Sequence, residues 1–298
     1  MDAAVLIGNG LNKCYSTDIS WNDLLCDIAN EHNVVFNKGN PFPLEFESIT
    51  NQILKKDKSP SKQIYMDIKR KISETLINRV PVEQSIHESF VLGLPANHFL
   101  TTNYDYMLER VVQPYGVIKH SSPIAETKYS LYRSITIGDK TFHHIHGEAK
   151  SPSTICLGYE HYAGYLAKMR EYLKANPSIY ERVKGNLVPL DPSWLNLFFT
   201  HDIYIVGLEL DTCEIDLWWL LTYRAYLYYS NDSGLRKMLR NKVVIYFSAK
   251  DENREKEILL NNLHVECRPM ELLSGSYMRM YGNIKSDIER SIYDRRFI

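Results

Sequence analysis

Residues 3–10 read AAVLIGNG, a short apolar run that ends in two glycines separated by an asparagine. An unbroken apolar run of this length is typical of a strand buried on both faces of a parallel sheet. Short strands are also predicted at residues 97–101 (NHFLT), 203–206 (IYIV) and 243–247 (VVIYF), with helical patterns between them. Because strands and helices alternate, we predict an α/β, Rossmann-like, doubly wound fold with a mostly parallel sheet.

Helical periodicity dominates residues 44–92, with breaks near residues 58–61 and at Pro81. A shorter helix before it opens at Ser20, with Asp23 three residues further on as in a capping box. We therefore predict a helical insertion after the first strand and its helix. The pattern fits packing of this insertion against the sheet and a separate lid or small lobe equally well.

We expect a single domain over residues 1–298. Its core would comprise about residues 1–35 and 93–265, and a C-terminal helix would cover about residues 283–298. Within the core, residues 129–147 have the pattern of a β-hairpin with a Gly-Asp turn.

Composition and charge exclude several classes of protein. The chain has 35 basic and 36 acidic residues, whereas direct binders of nucleic acid or of membrane surfaces normally have a basic excess. No apolar run approaches the ~20 residues that cross a bilayer. The chain starts directly in a strand-like segment, so we expect a cytoplasmic protein with reduced thiols. Its five cysteines form no CxxC pair, which excludes a zinc ribbon with four cysteine ligands.

The loop after the first predicted strand contains Gly8, Asn9, Gly10 and Asn12. Glycines at this position let the backbone approach a pyrophosphate, whose charge the loop amides can hold. The third glycine of a GxGxxG motif is missing, and a plain tight turn is the alternative.

The next predicted strand ends in the sequence TTNYD, which contains Thr102, Asn103 and Asp105. The carboxamide of Asn103 suits the binding of a water molecule or a sugar hydroxyl. Alternatively, Asn103 or Thr102 caps the following helix, and Asp105 complements its dipole.

The third motif is HHIHG, with His143, His144 and His146. In a strand, the alternation puts His144 and His146 on one face and His143 on the other. No Cys or carboxylate set nearby completes a metal site, so we predict no bound metal. A histidine at a strand end, followed by a glycine, better fits a general base, and His146 has this position.

The fourth loop reads GLELD and contains Gly207, Glu209 and Asp211. Its acidic groups suit contacts with ribose hydroxyls or ring nitrogens, although Asp211 could equally be a helix N-cap. Together these loops place polar groups at several strand ends, where α/β sheets bind their ligands.

The order of these motifs, GNG, Trp21-x-x-Leu24-Leu25, TTNYD, HIHG and VGLELD, resembles the SIR2-like NADases of bacterial anti-phage defence, which are relatives of the sirtuins. The resemblance extends from residue 3 to about residue 250. It implies that Asn103 and His146 are the catalytic pair. It also implies contacts with the NAD+ substrate for Gly8, Gly10, Asp105 and Gly207, and Ser248 stands where such folds receive the adenosine half. From their positions in the candidate loops, we also expect contacts with NAD+ for Asn9, Asn12, Thr102, Glu209 and Asp211.

The resemblance implies an NAD+ hydrolase that cleaves the nicotinamide–ribose bond and uses NAD+ as a substrate, without a prosthetic group. Two departures from the protein-deacylating sirtuins, the missing zinc-ribbon cysteines and the helical stretch at residues 44–92, favour hydrolysis over deacylation. The alternatives are a non-catalytic module that binds NAD or ADP-ribose, and a sirtuin-type deacylase or ADP-ribosyltransferase.

A long aromatic helix is predicted from about residue 212 to residue 229, with large side chains all around it. Such a helix is either deeply buried or packed against another chain. Members of the resembled family usually assemble into oligomers and depend on a separate sensor. We therefore expect a homo-oligomer that is controlled in trans by a partner such as a HerA-type ATPase.

Overall fold

The computed structural model contains a central seven-stranded sheet. The described residues are 2–15, 20–57, 59–77, 85–122, 124, 126–175, 177–185, 193–230, 236, 239–251, 253–272 and 275–296. The strands are β1 (Ala3–Ile7), β2 (His98–Thr101), β3 (Ile135–Ile137), β4 (Lys140–His144), β5 (Asp202–Val206), β6 (Val243–Ser248) and β7 (Glu266–Met270). Their order is β3-β4-β2-β1-β5-β6-β7, and only β3 is antiparallel to its neighbour. The predicted Rossmann-like α/β fold is therefore confirmed.

Helices connect most of these strands. In the described part of the chain they are α1 (Trp21–Glu31), α2 (Phe42–Lys56), α3 (Ser61–Ile77), α4 (Ser85–Val91), α5 (Met107–Val112), α6 (Tyr159–Lys174), α7 (Ile179–Gly185), α8 (Leu197–Thr200), α9 (Ile215–Tyr228), α10 (Arg254–Asn262) and α11 (Tyr277–Arg296). The capping box predicted at Ser20 and Asp23 is present. Helices α2, α3 and α4 occupy the predicted helical insertion, whose break at Pro81 lies outside the described residues.

The sheet separates two hydrophobic cores, because successive side chains of a strand point to opposite faces. Val5 and Ile7 of β1 belong to the core that also contains side chains of α1 to α4 and α11. Ala4 and Leu6 belong to the other core, which is built with α6, α8, α9 and α10. The helical insertion thus packs against one face of the sheet, which is the first of the two arrangements predicted from the sequence.

The strand register places the four candidate loops at one edge of the sheet. Ile7, the last residue of β1, pairs with Thr101 of β2 and with Val206 of β5. Thr101 in turn pairs with His144, the last residue of β4. All four strands therefore end at the same level, and the loops that follow them lie at the same edge of the sheet. None of the helices among the described residues is long and apolar enough to cross a membrane.

Candidate active site

The first glycine loop lies directly against the loop that follows β5. The Gly8 amide donates to the Val206 carbonyl at 2.9 Å, and the Gly10 amide donates to the Gly207 carbonyl at 2.7 Å. A Cβ atom at Gly10 would lie 2.5 Å from Tyr281 Oη and 2.7 Å from Gly207 Cα. Both glycines are therefore needed for close packing within the protein. Since their amides already have partners, other amides of the loop would have to hold a pyrophosphate.

Asn12 connects this loop to the loop after β2. Its side chain is buried, and Nδ2 donates to Asn9 Oδ1 and to Asp105 Oδ2, both at 3.0 Å. The ring of His87, in α4, donates from Nε2 to Asn12 Oδ1 at 2.9 Å. Asp105 also accepts a hydrogen bond from the Met107 amide, at the start of α5. Asp105 thus supports the following helix and fixes Asn12 at the same time.

Asn103 is held through its backbone. Thr101 Oγ1 donates to the Ile7 carbonyl at 2.8 Å and accepts from the Asn103 amide at 3.0 Å. The Asn103 carbonyl accepts from His144 Nδ1 at 2.8 Å. Its side-chain carboxamide has no hydrogen-bonding partner among the described residues, although Asn103 is only 7% exposed. Thr102, beside it, is also buried.

His144 forms a buried ion pair below Asn103. Its Nε2 lies 2.8 Å from Oε1 of Glu109, in α5, and both side chains are almost fully buried. Burial lowers the pKa of His144, but the negative charge of Glu109 and its hydrogen bond outweigh this effect and raise the pKa to about 9. A charged imidazole therefore donates to the Asn103 carbonyl at neutral pH.

His146 lies beyond the end of β4, in the turn that Gly147 forms at φ +94°. The predicted alternation of the three histidines therefore stops at His144, because the chain leaves the strand there. His146 Nε2 lies 2.9 Å from Asp216 Oδ2, and both side chains are buried. Burial lowers the pKa of His146, but the charge and hydrogen bond of Asp216 outweigh it, so this pKa lies above its ordinary value.

Asp216, Glu214 and His87 are residues near these loops that were not predicted from the sequence. Asp216 and Glu214 lie at the start of α9. From the sequence, this segment was interpreted only through its aromatic residues. Two carboxylates just after GLELD were the available signal, but nothing in the sequence pairs residue 146 with residue 216. His87 lies in a stretch with an ordinary helical pattern, which gave no signal at all.

The remaining predicted ligand contacts lie at the same edge of the sheet. Glu209 is exposed, and its carbonyl accepts from Lys256 Nζ. Asp211 is exposed and accepts from the Cys213 amide at 2.9 Å, whereas α9 begins only at Ile215. The alternative interpretation of Asp211 as the N-cap of this helix was therefore wrong, because Asp211 caps the preceding turn. Ser248 ends β6 and is buried.

The three neighbouring histidines have three different surroundings. His144 pairs with Glu109, His146 pairs with Asp216, and His143 stacks on His98 with 5.8 Å between the ring centroids. In the described part of the chain, no group of three or more His, Cys, Asp or Glu side chains is arranged to hold a metal ion.

Residues 97–188 match the family model of the SIR2-like domain. The matched range begins beside β2 and ends beyond α6, so it contains both Asn103 and His146. Asp216 lies outside the range matched to the SIR2-like domain.

The chain is also similar to "NAD(+) hydrolase ThsA" of Bacillus cereus (strain MSX-D12), with 27% identity over 178 residues. This alignment covers 58% of the present chain and 34% of the relative. The chain therefore spans about one third of the length of this curated relative.

Proposed function

We propose that this protein is an NAD+ glycohydrolase that converts NAD+ and water into nicotinamide and ADP-ribose. The observation that carries the proposal is the position of Asn103 and His146. Both are buried side chains just beyond the ends of neighbouring parallel strands, within the residues that match the SIR2-like family model. The similarity to a relative named as an NAD(+) hydrolase supports the same reaction.

The chemistry needs few groups. The bond between C1′ of the ribose and the nicotinamide nitrogen breaks through an oxocarbenium-like state, as in other glycosyl transfers. The electron pair of this bond neutralises the cationic ring, so no strong acid is required. Asn103 orients the water or the ribose through its carboxamide, and neutral His146 takes the proton from the attacking water. Asp105, two residues after Asn103, is held in place by its hydrogen bond with Asn12.

The test is nicotinamide release from NAD+ by the purified protein. Asn103→Ala and His146→Ala should each abolish the release without loss of the fold, because each removes one group that acts on the reacting atoms. Asn51→Ala and His32→Ala are matched controls, since both residues are exposed and far along the chain from the site. Circular dichroism of all four variants verifies folding. Near-wild-type turnover of either site variant would refute the assignment.

The same assay distinguishes the alternative functions. A binding module would bind NAD+ or ADP-ribose in calorimetry without releasing nicotinamide. A sirtuin-type deacylase would release nicotinamide only when an acylated peptide is added, and it would remove the acyl group at the same time. A hydrolase needs water alone.

We further propose that the protein is the NAD-depleting effector of an anti-phage defence system, assembled as a homo-oligomer and controlled by a partner in trans such as a HerA-type ATPase. Uncontrolled hydrolysis of NAD+ would harm the host cell, which makes control necessary. Support for an oligomer comes from the exposed aromatic residues of α9 and its C-terminal end, Tyr226 and Tyr229. Tyr226 is 71% exposed and Tyr229 is 50% exposed, whereas Trp219 and Tyr223 are partly buried against the core.

A further inference from the structure

The pair formed by His146 and Asp216 defines which nitrogen of the imidazole is available for chemistry. Asp216 lies in the first turn of α9, and its Oδ2 is 2.9 Å from Nε2 of His146. A carboxylate only accepts hydrogen bonds, so Nε2 must carry the proton in this pair. Neutral His146 then has its lone pair on Nδ1, which has no hydrogen-bonding partner among the described residues.

The ring of His146 is also held by packing. Tyr162, in α6, lies edge-on to it with 5.5 Å between the ring centroids. The imidazole is therefore fixed by a hydrogen bond to one helix and by an aromatic contact with another. This arrangement limits rotation of the ring, so that Nδ1 keeps one direction.

Two carboxyl groups determine the charge around His146. Asp216 is fully buried, and its second oxygen, Oδ1, has no partner among the described residues. Glu214 is nearby, and burial raises the pKa of its carboxyl to about 7, against the lowering effect of His146. Tyr162, Tyr104 and Cys156 are the other titratable groups in this region. They are uncharged at neutral pH, because burial raises the pKa of each.

We propose that Asp216 is a positioning residue of the hydrolase, which keeps the Nε2–H tautomer of His146 and stabilises the imidazolium that forms during the reaction. This inference rests on the proposed function. Water attacks C1′ as the bond to nicotinamide breaks, and its proton moves to Nδ1 of His146. The resulting positive charge lies against Asp216, which holds it without taking the proton itself.

The first experiment needs no substrate. Nitrogen-15 NMR of histidine-labelled protein identifies the tautomer of His146 and its pKa, and the signal is assigned by its absence in His146→Gln. In the wild type we expect the Nε2–H tautomer and a pKa above the ordinary histidine value. In Asp216→Asn the pKa of His146 should fall, since burial is then opposed only by the weaker effect of Glu214.

The second experiment is the pH profile of nicotinamide release. The base must be neutral, so the wild-type rate should rise with pH through the elevated pKa of His146. In Asp216→Asn the acid limb of the profile should move to lower pH. The kcat should fall about 10-fold or more, but by no more than the roughly 10²–10⁴-fold that the general base itself contributes. Asp139→Asn is the matched control, because it removes an exposed carboxylate of the β3–β4 turn that is 73% exposed.

The outcomes separate the two proposals. If Asp216→Asn keeps the wild-type histidine titration and the wild-type pH profile, the positioning role of Asp216 is wrong. If the wild type itself releases no nicotinamide, the proposed function fails, but the NMR titration still decides whether Asp216 controls His146. Should Asp216→Asn fold poorly, Asp216→Glu keeps the charge and should retain a raised pKa for His146.

Discussion

At the scale of single residues, the partner of a buried histidine decides its charge. His143 and His144 are adjacent and both buried, yet burial lowers the pKa of His143 to about 3 while Glu109 raises that of His144 to about 9. A sequence shows two identical letters at these positions. The difference arises from α5, which brings Glu109 under one ring and leaves the other stacked on His98.

The pair of His144 and Glu109 leads to a prediction about stability. The pKa of His144 is higher in the folded protein than its unfolded value of 6.5. Its contribution to the free energy of unfolding is therefore complete below pH 6.5 and is lost as the pH rises through about 9. His144→Gln leaves Glu109 buried without its partner and should cost about 3–5 kcal/mol at about pH 6.

Urea unfolding of the wild type and of His144→Gln, from about pH 6 to about pH 10, measures this contribution. The difference between the two proteins should be largest at the acidic end of this range and should shrink towards the alkaline end. His32→Gln, at an exposed position, is the control and should show no such trend. A constant difference across the whole range would contradict a charged His144.

At the scale of the elements, two glycines should respond in opposite ways to the same substitution by alanine. A side chain at Gly10 would meet Tyr281 and Gly207 at less than 3 Å, whereas a side chain at Gly282, in α11, would meet nothing within 4 Å. Gly10→Ala should therefore destabilise the protein by about 1–3 kcal/mol, because atoms must shift to make room. Gly282→Ala should stabilise it by up to about 1 kcal/mol, because glycine is unfavourable within a helix.

The denaturant concentration at the midpoint of unfolding is measured for both glycine variants. Each variant replaces a glycine by alanine, so the chemical change is the same. We also expect Gly10→Ala to weaken NAD+ binding in calorimetry, since the loop would move. Gly282→Ala should not affect binding. Equal shifts of the midpoint for both variants would mean that the close approach of the loop to α11 is not maintained in solution.

The elements were predictable where burial is uniform. β1, β5 and β6 are nearly continuous apolar runs, so they were located within a residue or two. β7 has only exposed and half-buried residues, because it lies at the sheet edge, and its sequence gave only a weak signal around Val265. The start of α11 at Tyr277, before the predicted residue 283, also lacked a strong local signal. Helix α8 has only four residues, too few for any periodicity.

At the scale of the whole molecule, the topology of the sheet explains which parts of the candidate site could be predicted from the sequence. Asn103 and His146 follow strands that pair in parallel, and parallel strands end at one edge, so their proximity follows from the fold class. The contact between His146 and Asp216 depends instead on the angle at which α9 leaves the loop after β5. Such an angle is set by packing of both layers, which no local pattern contains.

The proposed oligomer provides the last prediction. The inner side of α9 is aliphatic, with Leu217, Leu220 and Leu221 buried, while Tyr226 faces outwards. If this outer side is an interface, Tyr226→Glu should convert the oligomer into a monomer, because a charge would be buried there. Light scattering measures the mass, and Tyr115→Glu, at a residue that is 89% exposed, is the control. A wild-type monomer with full activity would exclude the interface.

Helix α11 runs from the glycine loop, where Tyr281 packs, to the beginning of β5, where Arg295 Nη1 meets Asp202 Oδ1 at 3.0 Å. Its two outer tyrosines, Tyr277 and Tyr293, are both 45% exposed and lie about 24 Å apart along the axis. If NAD+ binds at the glycine loop as proposed, an environment-sensitive dye placed at residue 277 should respond to its binding. The same dye at residue 293, at the far end of the helix, would provide the reference signal. One helix therefore offers both the responsive and the reference position of a fluorescence sensor.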